Sequence, residues 1–133
     1  MHPDIYGTRD ERLRADVRRL CRLLTRDFKP EAAVVNVVFV NDRRIHELNR
    51  RFLKRDRPTN VISFNCDEPQ LPGEPRLLGE VYISRDRARE QAREYGVTYA
   101  SELRRLVLHG LLHLLGLTHH QMEPLYRRYL ETS

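Results

Sequence analysis

Three histidines within one short run constrain this chain more than any other feature. They are His109, His113 and His119, in His109-Gly110-Leu111-Leu112-His113-Leu114-Leu115-Gly116-Leu117-Thr118-His119. The first two are four residues apart, so on a helix they share one face, one turn apart. Gly116 follows the second, and glycine ends helices readily because it accepts left-handed backbone. The chain then turns back and brings His119, ten residues after His109, to the same point. Three imidazoles converging from a helix and the turn after it make a three-ligand zinc site with the fourth position open to water. An open site points to catalysis. The pattern therefore predicts a metal-dependent hydrolase with one Zn2+ on His109, His113 and His119. His119 is preferred to His120 because it keeps the spacing.

The run agrees with the H-E-x-x-H-x-x-G-x-x-H pattern of one zinc-protease class at every position but one. Gly110 stands where those proteases carry the glutamate that serves as general base. Glycine takes no proton from water, which argues against peptide hydrolysis by that mechanism. No other residue declares itself as the base, so the catalytic residues stay unassigned. Two rivals remain open: a metal-dependent hydrolase of another substrate such as peptide, and a binding protein whose zinc is structural.

The length of 133 residues fits one domain, 1–133, with one core, and 40% hydrophobic residues suffice to fill it. No run approaches the roughly 18 apolar residues of a membrane span, and Met1 to Asp10 lacks the apolar stretch of a secretory leader. Cys21 and Cys66 are far apart and form no CxxC pair, so they read as reduced thiols of a cytoplasmic protein. Net charge is +5, carried almost wholly by arginine, with Lys29 and Lys54 the only lysines. Guanidinium forks pair with phosphate, which fits an anionic partner such as RNA. Genomic base composition explains the same arginine excess without any function.

Periodicity predicts a helix over 9–26, on Leu13, Val17, Leu20 and Leu24, with Thr8 as its cap. Ala32 to Val40 reads as a buried strand. A second helix is expected over 42–53, with Ile45, Leu48 and Phe52 inward. Asp56 to Thr59 breaks it. Val61–Asn65 and Leu78–Ser84 read as strands that pair antiparallel across a proline-rich loop, 67–76. Helices are expected over 85–95, from Thr98 through the histidine pair, and over 121–131. The order predicts an α+β domain in which a small mixed sheet is covered by helices, one of them bearing the H-x-x-x-H-x-x-x-x-x-H motif.

Beyond the unbroken H-G-x-L-H-L-x-G-x-x-H run, two further patterns recur in order. The first is Leu48, Asn49, Phe52, Asp56, Pro58, Thr59, Asn60, Val61, Ile62, Ser63 and Phe64. The second is Leu78, Gly79, Glu80, Val81, Ile83 and Ser84. Together these resemble the YbeY family of bacterial rRNA-maturation endoribonucleases, from about residue 34 onward. The resemblance implies a zinc-dependent, single-strand-specific endoribonuclease acting on the 16S rRNA precursor at its 3′ end and in quality control of the small ribosomal subunit. It implies zinc on His109, His113 and His119. Leu53 stands where many members carry an arginine, so that role does not transfer; Arg51, Arg55 and Arg57 are the candidate substitutes, with Asn60 and Ser63 as further substrate contacts. Thr118 stands where aspartate is frequent, and the extra first strand of such proteins has only Ile5-Tyr6 to supply it.

Overall fold

The computed structural model describes residues 1–31, 34–55, 57, 59–66 and 71–130. The elements run β1 (His2–Tyr6), α1 (Glu11–Phe28), β2 (Val34–Val40), α2 (Asp42–Leu53), β3 (Val61–Asn65), β4 (Leu77–Ser84), α3 (Arg85–Tyr95), α4 (Tyr99–Leu114) and α5 (His119–Leu130). They form an α+β fold around one four-stranded sheet of order β1-β2-β4-β3. β1 and β4 lie parallel to β2, whereas β3 pairs antiparallel with β4, so the sheet is mixed as expected.

Alternation along the strands sends side chains to two unlike faces. Val35, Val37, Phe39, Val81 and Ile83 join Leu20, Leu24, Leu106, Val107 and Leu111 in the main core, beneath α1 and α4. Tyr82 and Phe64 point the other way. There α2 contributes Ile45 and Leu48 to a small second cluster with Ile62.

The helix ends follow from side-chain chemistry. Asn41, Ser84 and Thr98 each accept a backbone N–H of the first turn of α2, α3 and α4. Gly96 ends α3 in the left-handed region, at φ +66°.

Four local expectations need correction. The first strand is complete rather than a two-residue remnant: His2–Tyr6 pairs in register with Val34–Val38. The first helix is capped by Asp10, whose carboxylate accepts from Arg12 and Leu13, and it runs two residues further to a left-handed Lys29. Thr8 instead accepts from the Asp10 N–H. Phe52 is 56% exposed, and the buried place on α2 falls to Asn49. Asn49 Nδ2 donates to the Arg57 carbonyl at 2.7 Å, and its own carbonyl accepts from Arg55 N–H, so it ties down the turn after the helix. The last helix begins at His119 rather than 121. The expected strand start at Ala32, the breaker residues Asp56 and Pro58, part of the proline-rich loop and Glu131 lie outside the described residues.

Candidate metal centre

Helix α4 carries both histidines of the pair, and its position is set by Gly110. A Cβ there would stand 2.3 Å from Val81 Cγ1, so only glycine lets α4 lie this close to β4. The approach is fixed by two hydrogen bonds from the edge strand. Ser63 Oγ donates to the Gly110 carbonyl at 3.1 Å, and Asn65 Nδ2 donates to the Leu114 carbonyl at 3.1 Å.

Gly116 then turns the chain at φ +85°, with its N–H on the His113 carbonyl. Thr118 and Gln121 form a reciprocal cap: Gln121 N–H donates to Thr118 Oγ1 at 3.2 Å, and Thr118 N–H donates to Gln121 Oε1 at 2.8 Å. His119 is thereby held at the first position of α5. Thr118, which departs from the frequent aspartate, has a structural task of its own as this cap.

The outcome is a triangle of imidazoles. Ring centroids are 4.8 Å apart for His109–His113, 5.4 Å for His109–His119 and 5.1 Å for His113–His119. One ring nitrogen from each lies within 4.8 Å of the others, a spacing a single cation can bridge. Among the described residues the cluster contains no carboxylate or thiolate. His113 and His119 are exposed, so one side of the triangle faces solvent. His120 is exposed and outside the group.

At His109 and His113 the electrostatics favour the neutral ring, which is the form that ligates metal. His109 is pushed down to about 4, first by burial, then by His113, His119 and the cation Arg105. His113 is lowered by burial and by His119. Arg105 is itself held by Glu102, a carboxylate only 2% exposed, through an Nε–Oε1 hydrogen bond of 3.0 Å.

Sequence reasoning missed Tyr126. Its hydroxyl lies 2.5 Å from His109 Nδ1, with the two rings parallel to within 7°. A hydroxyl accepting from Nδ1–H leaves Nε2 of His109 as the free lone pair. The available signal was the inward stripe Met122, Tyr126, Tyr129 at helical spacing.

The other candidate residues do not gather here. Arg51, Arg55 and Arg57 are exposed on α2 and the segment after it, and the Arg51 guanidinium sits 5.4 Å from the Phe52 ring centre. Ser63 spends its hydroxyl on α4, as above. Asn60 is half-buried at the start of β3, where its carbonyl accepts from Ser84 N–H at 2.9 Å and its Nδ2 reaches Gln91 Oε1 at 3.5 Å. Leu53 is 45% exposed. Glu80 faces away from the histidines and accepts from Asn36 Nδ2 at 3.2 Å. Neither cysteine belongs to the histidine group, and burial pushes the Cys21 thiol up to about 12. Among the described residues no helix is long and apolar enough to cross a membrane.

The fold and the triangle define a class: small α+β proteins that present three imidazoles, without an accompanying carboxylate, on a helix–turn–helix beside a mixed sheet. Residues 5–128 match the family described as Endoribonuclease YbeY, and the chain belongs to that family. It is similar to the Endoribonuclease YbeY of Bacillus mycoides, 47% identical over 96 residues, covering 67% of this chain and 62% of that protein. It is also similar to that of Desulfitobacterium hafniense, 50% identical over 95 residues, covering 67% and 60%. The matched stretch thus spans about three fifths of these relatives' own length. The solution structure of TM1509 from Thermotoga maritima superimposes with a TM-score of 0.67 at 29% identity, covering 97% of this chain and 87% of that one.

Proposed function

We propose that this chain is a single-domain, zinc-dependent endoribonuclease that cuts single-stranded RNA. Its cellular setting in this reading is the cytoplasm, in maturation of the 16S rRNA 3′ end and quality control of the small ribosomal subunit. The observation that carries the proposal is the solvent-facing triangle of His109, His113 and His119 in a member of the YbeY family.

Zinc suits this donor set, because three imidazoles reach a common point and two of them, His109 and His113, are biased to the neutral form. When bound, it supplies Lewis acidity toward a phosphate oxygen and acidifies water. The chain's own residues do the rest. Tyr126 holds His109 in the tautomer that offers Nε2. Gly110 and Ser63 fix the height of α4 above the sheet. Arg51, Arg55 and Arg57 grip the RNA backbone, so binding weakens as salt rises.

A peptidase is the weaker reading, since position 110 is glycine and the cluster holds no carboxylate to serve as base. A purely structural zinc fits less well, because closed structural sites use four protein ligands.

The test is cleavage of single-stranded rRNA fragments and of casein by purified, zinc-loaded protein beside His113→Ala. The expected result is cut RNA and intact casein, with both intact for the variant. RNA cleavage that persists in His113→Ala, or casein hydrolysis that requires His113, overturns the reading.

A further inference from the structure

The sheet face turned away from the histidines carries a feature the metal centre does not use. Phe52, Phe64 and Tyr82 form an edge-to-face ladder: Phe52–Phe64 at 5.5 Å and 69°, then Phe64–Tyr82 at 6.0 Å and 74°. With Arg44, Arg51 and Glu80 they line a cavity of about 390 Å3. Phe52 stands at its rim more than half exposed, with the Arg51 guanidinium against its ring. Phe52 and, next to it in the chain, Leu53 at 45% exposure leave apolar surface open beside a cavity rimmed by charged side chains, a combination that marks binding grooves.

Charge says what kind of partner. Residues 42–57 hold seven cationic side chains (Arg43, Arg44, Arg50, Arg51, Lys54, Arg55 and Arg57) against three acidic ones, Asp42, Glu47 and Asp56. Most of the chain's excess of +5 is therefore concentrated on this one helix and the turn after it. An aromatic platform inside a cationic field is the arrangement that stacks bases while attracting phosphates. Glu80 adds discrimination. Asn36 Nδ2 donates to one carboxylate oxygen and the Tyr82 hydroxyl also bonds this carboxylate, which leaves it lone pairs for one further set of donors in the cavity. Guanine is the base that presents two adjacent N–H donors, N1–H and N2–H, to such an acceptor.

We infer that this cavity is a nucleobase site for single-stranded RNA, with guanine preferred. One base stacks on Phe52, Arg44 and Arg51 take the flanking phosphates, and Glu80 accepts from the base edge. The inference rests on the endoribonuclease reading and locates a second hold on that substrate. β3 is an edge strand of the sheet, with Ser63 on the side of α4 and Phe64 on the side of α2. A strand of RNA rounding that edge meets both the stacking site and the imidazoles.

The chain contains no tryptophan, so Phe52→Trp places a single reporter at the rim. Its fluorescence is followed, in the zinc-loaded protein, on adding guanosine monophosphate, adenosine monophosphate, and single-stranded RNA with and without one guanosine. Saturable quenching, strongest for guanosine and its RNA, is expected. In parallel, Phe52→Ala is expected to weaken RNA binding, read by fluorescence anisotropy, about tenfold. If Phe52→Trp does not respond and Phe52→Ala binds RNA like wild type, while wild type still cuts RNA, the site is overturned alone. That result leaves the nuclease reading standing. If wild type neither binds nor cuts RNA, both fall together. Equal quenching by guanosine and adenosine monophosphates overturns the role given to Glu80.

Discussion

The two faces of the sheet are built by opposite means. The α4 face is closed: Val81, Ile83, Leu106 and Leu111 are at most 1% exposed, and the helix lies so close that a single methyl group at 110 has no room. The α2 face is thin, with three buried apolar residues, Ile45, Leu48 and Ile62, and an aromatic ladder left partly open. The first holds three imidazole rings to a fixed geometry, as metal ligation needs. The second offers charge and adaptable aromatic area, as a flexible polyanion needs. Rigid packing and open surface are thus divided between the sides of one sheet.

The comparison is broken most severely by removing a ligand. His109→Ala should lose zinc affinity beyond the roughly 10–100-fold that follows loss of a ligand's hydrogen-bond partner, measured by chelator competition. Phe52 and Arg51 should keep their contribution to RNA binding in that variant, because they occupy the other face. Gly110→Ala comes next. Forcing Cβ toward Val81 should cost about 1–3 kcal/mol in chemical denaturation and lower zinc affinity as α4 lifts. If it is neutral, the close seating of α4 does not set the height of the histidines.

Tyr126→Phe keeps the ring and removes the hydroxyl that bonds His109 Nδ1, together with its weak contact to Met122 Sδ at 3.9 Å. Zinc affinity should fall about tenfold with little change in melting temperature. Tyr129→Phe on the same helix, which loses instead a hydrogen bond to Asp27, should leave affinity unchanged. On the opposite face, the double change Arg44→Gln and Arg51→Gln should flatten the dependence of log affinity for single-stranded RNA on log salt by about 1.4, with zinc affinity unaltered. The remaining prediction is a pH limb. His109 titrates near 4 in the fold, against an ordinary 6.5, so between these values the unfolded chain binds the extra proton. Stability of the metal-free protein should therefore decline as pH falls from about 6.5 to about 4, and less steeply in His109→Gln, read by thermal melts.

How much of this could be read from the chain depended on whether a feature was local. The cap residues and the histidine run act within a few positions, so helix ends at Asn41, Ser84, Thr98 and Gly116 were legible. The first strand was not. His2–Tyr6 carries a proline and two polar residues, and it is a strand because β2 lies beside it in register. Helical periodicity placed Phe52 inside, but the sheet beneath α2 covers only part of that face, and Asn49 took the buried position to bind the returning chain. Ser63 stands among the candidate substrate contacts in the sequence, but its hydrogen bond to the Gly110 carbonyl, 47 residues away, exists only once β3 and α4 pack. Tyr126 meets His109 from seventeen residues away, a contact that exists only once two helices pack.

The capped turn at Thr118 and Gln121 has a consequence for the order in which the two faces come into being. His109 and His119 bracket a loop of ten residues, and closing so short a loop costs little chain entropy. The imidazoles can assemble on one helical hairpin, whereas the ladder of Phe52, Phe64 and Tyr82 exists only after α2, β3 and β4 have found their register. A chain loosened at its sheet edge should surrender its aromatic cavity first and keep its grip on the ion longest.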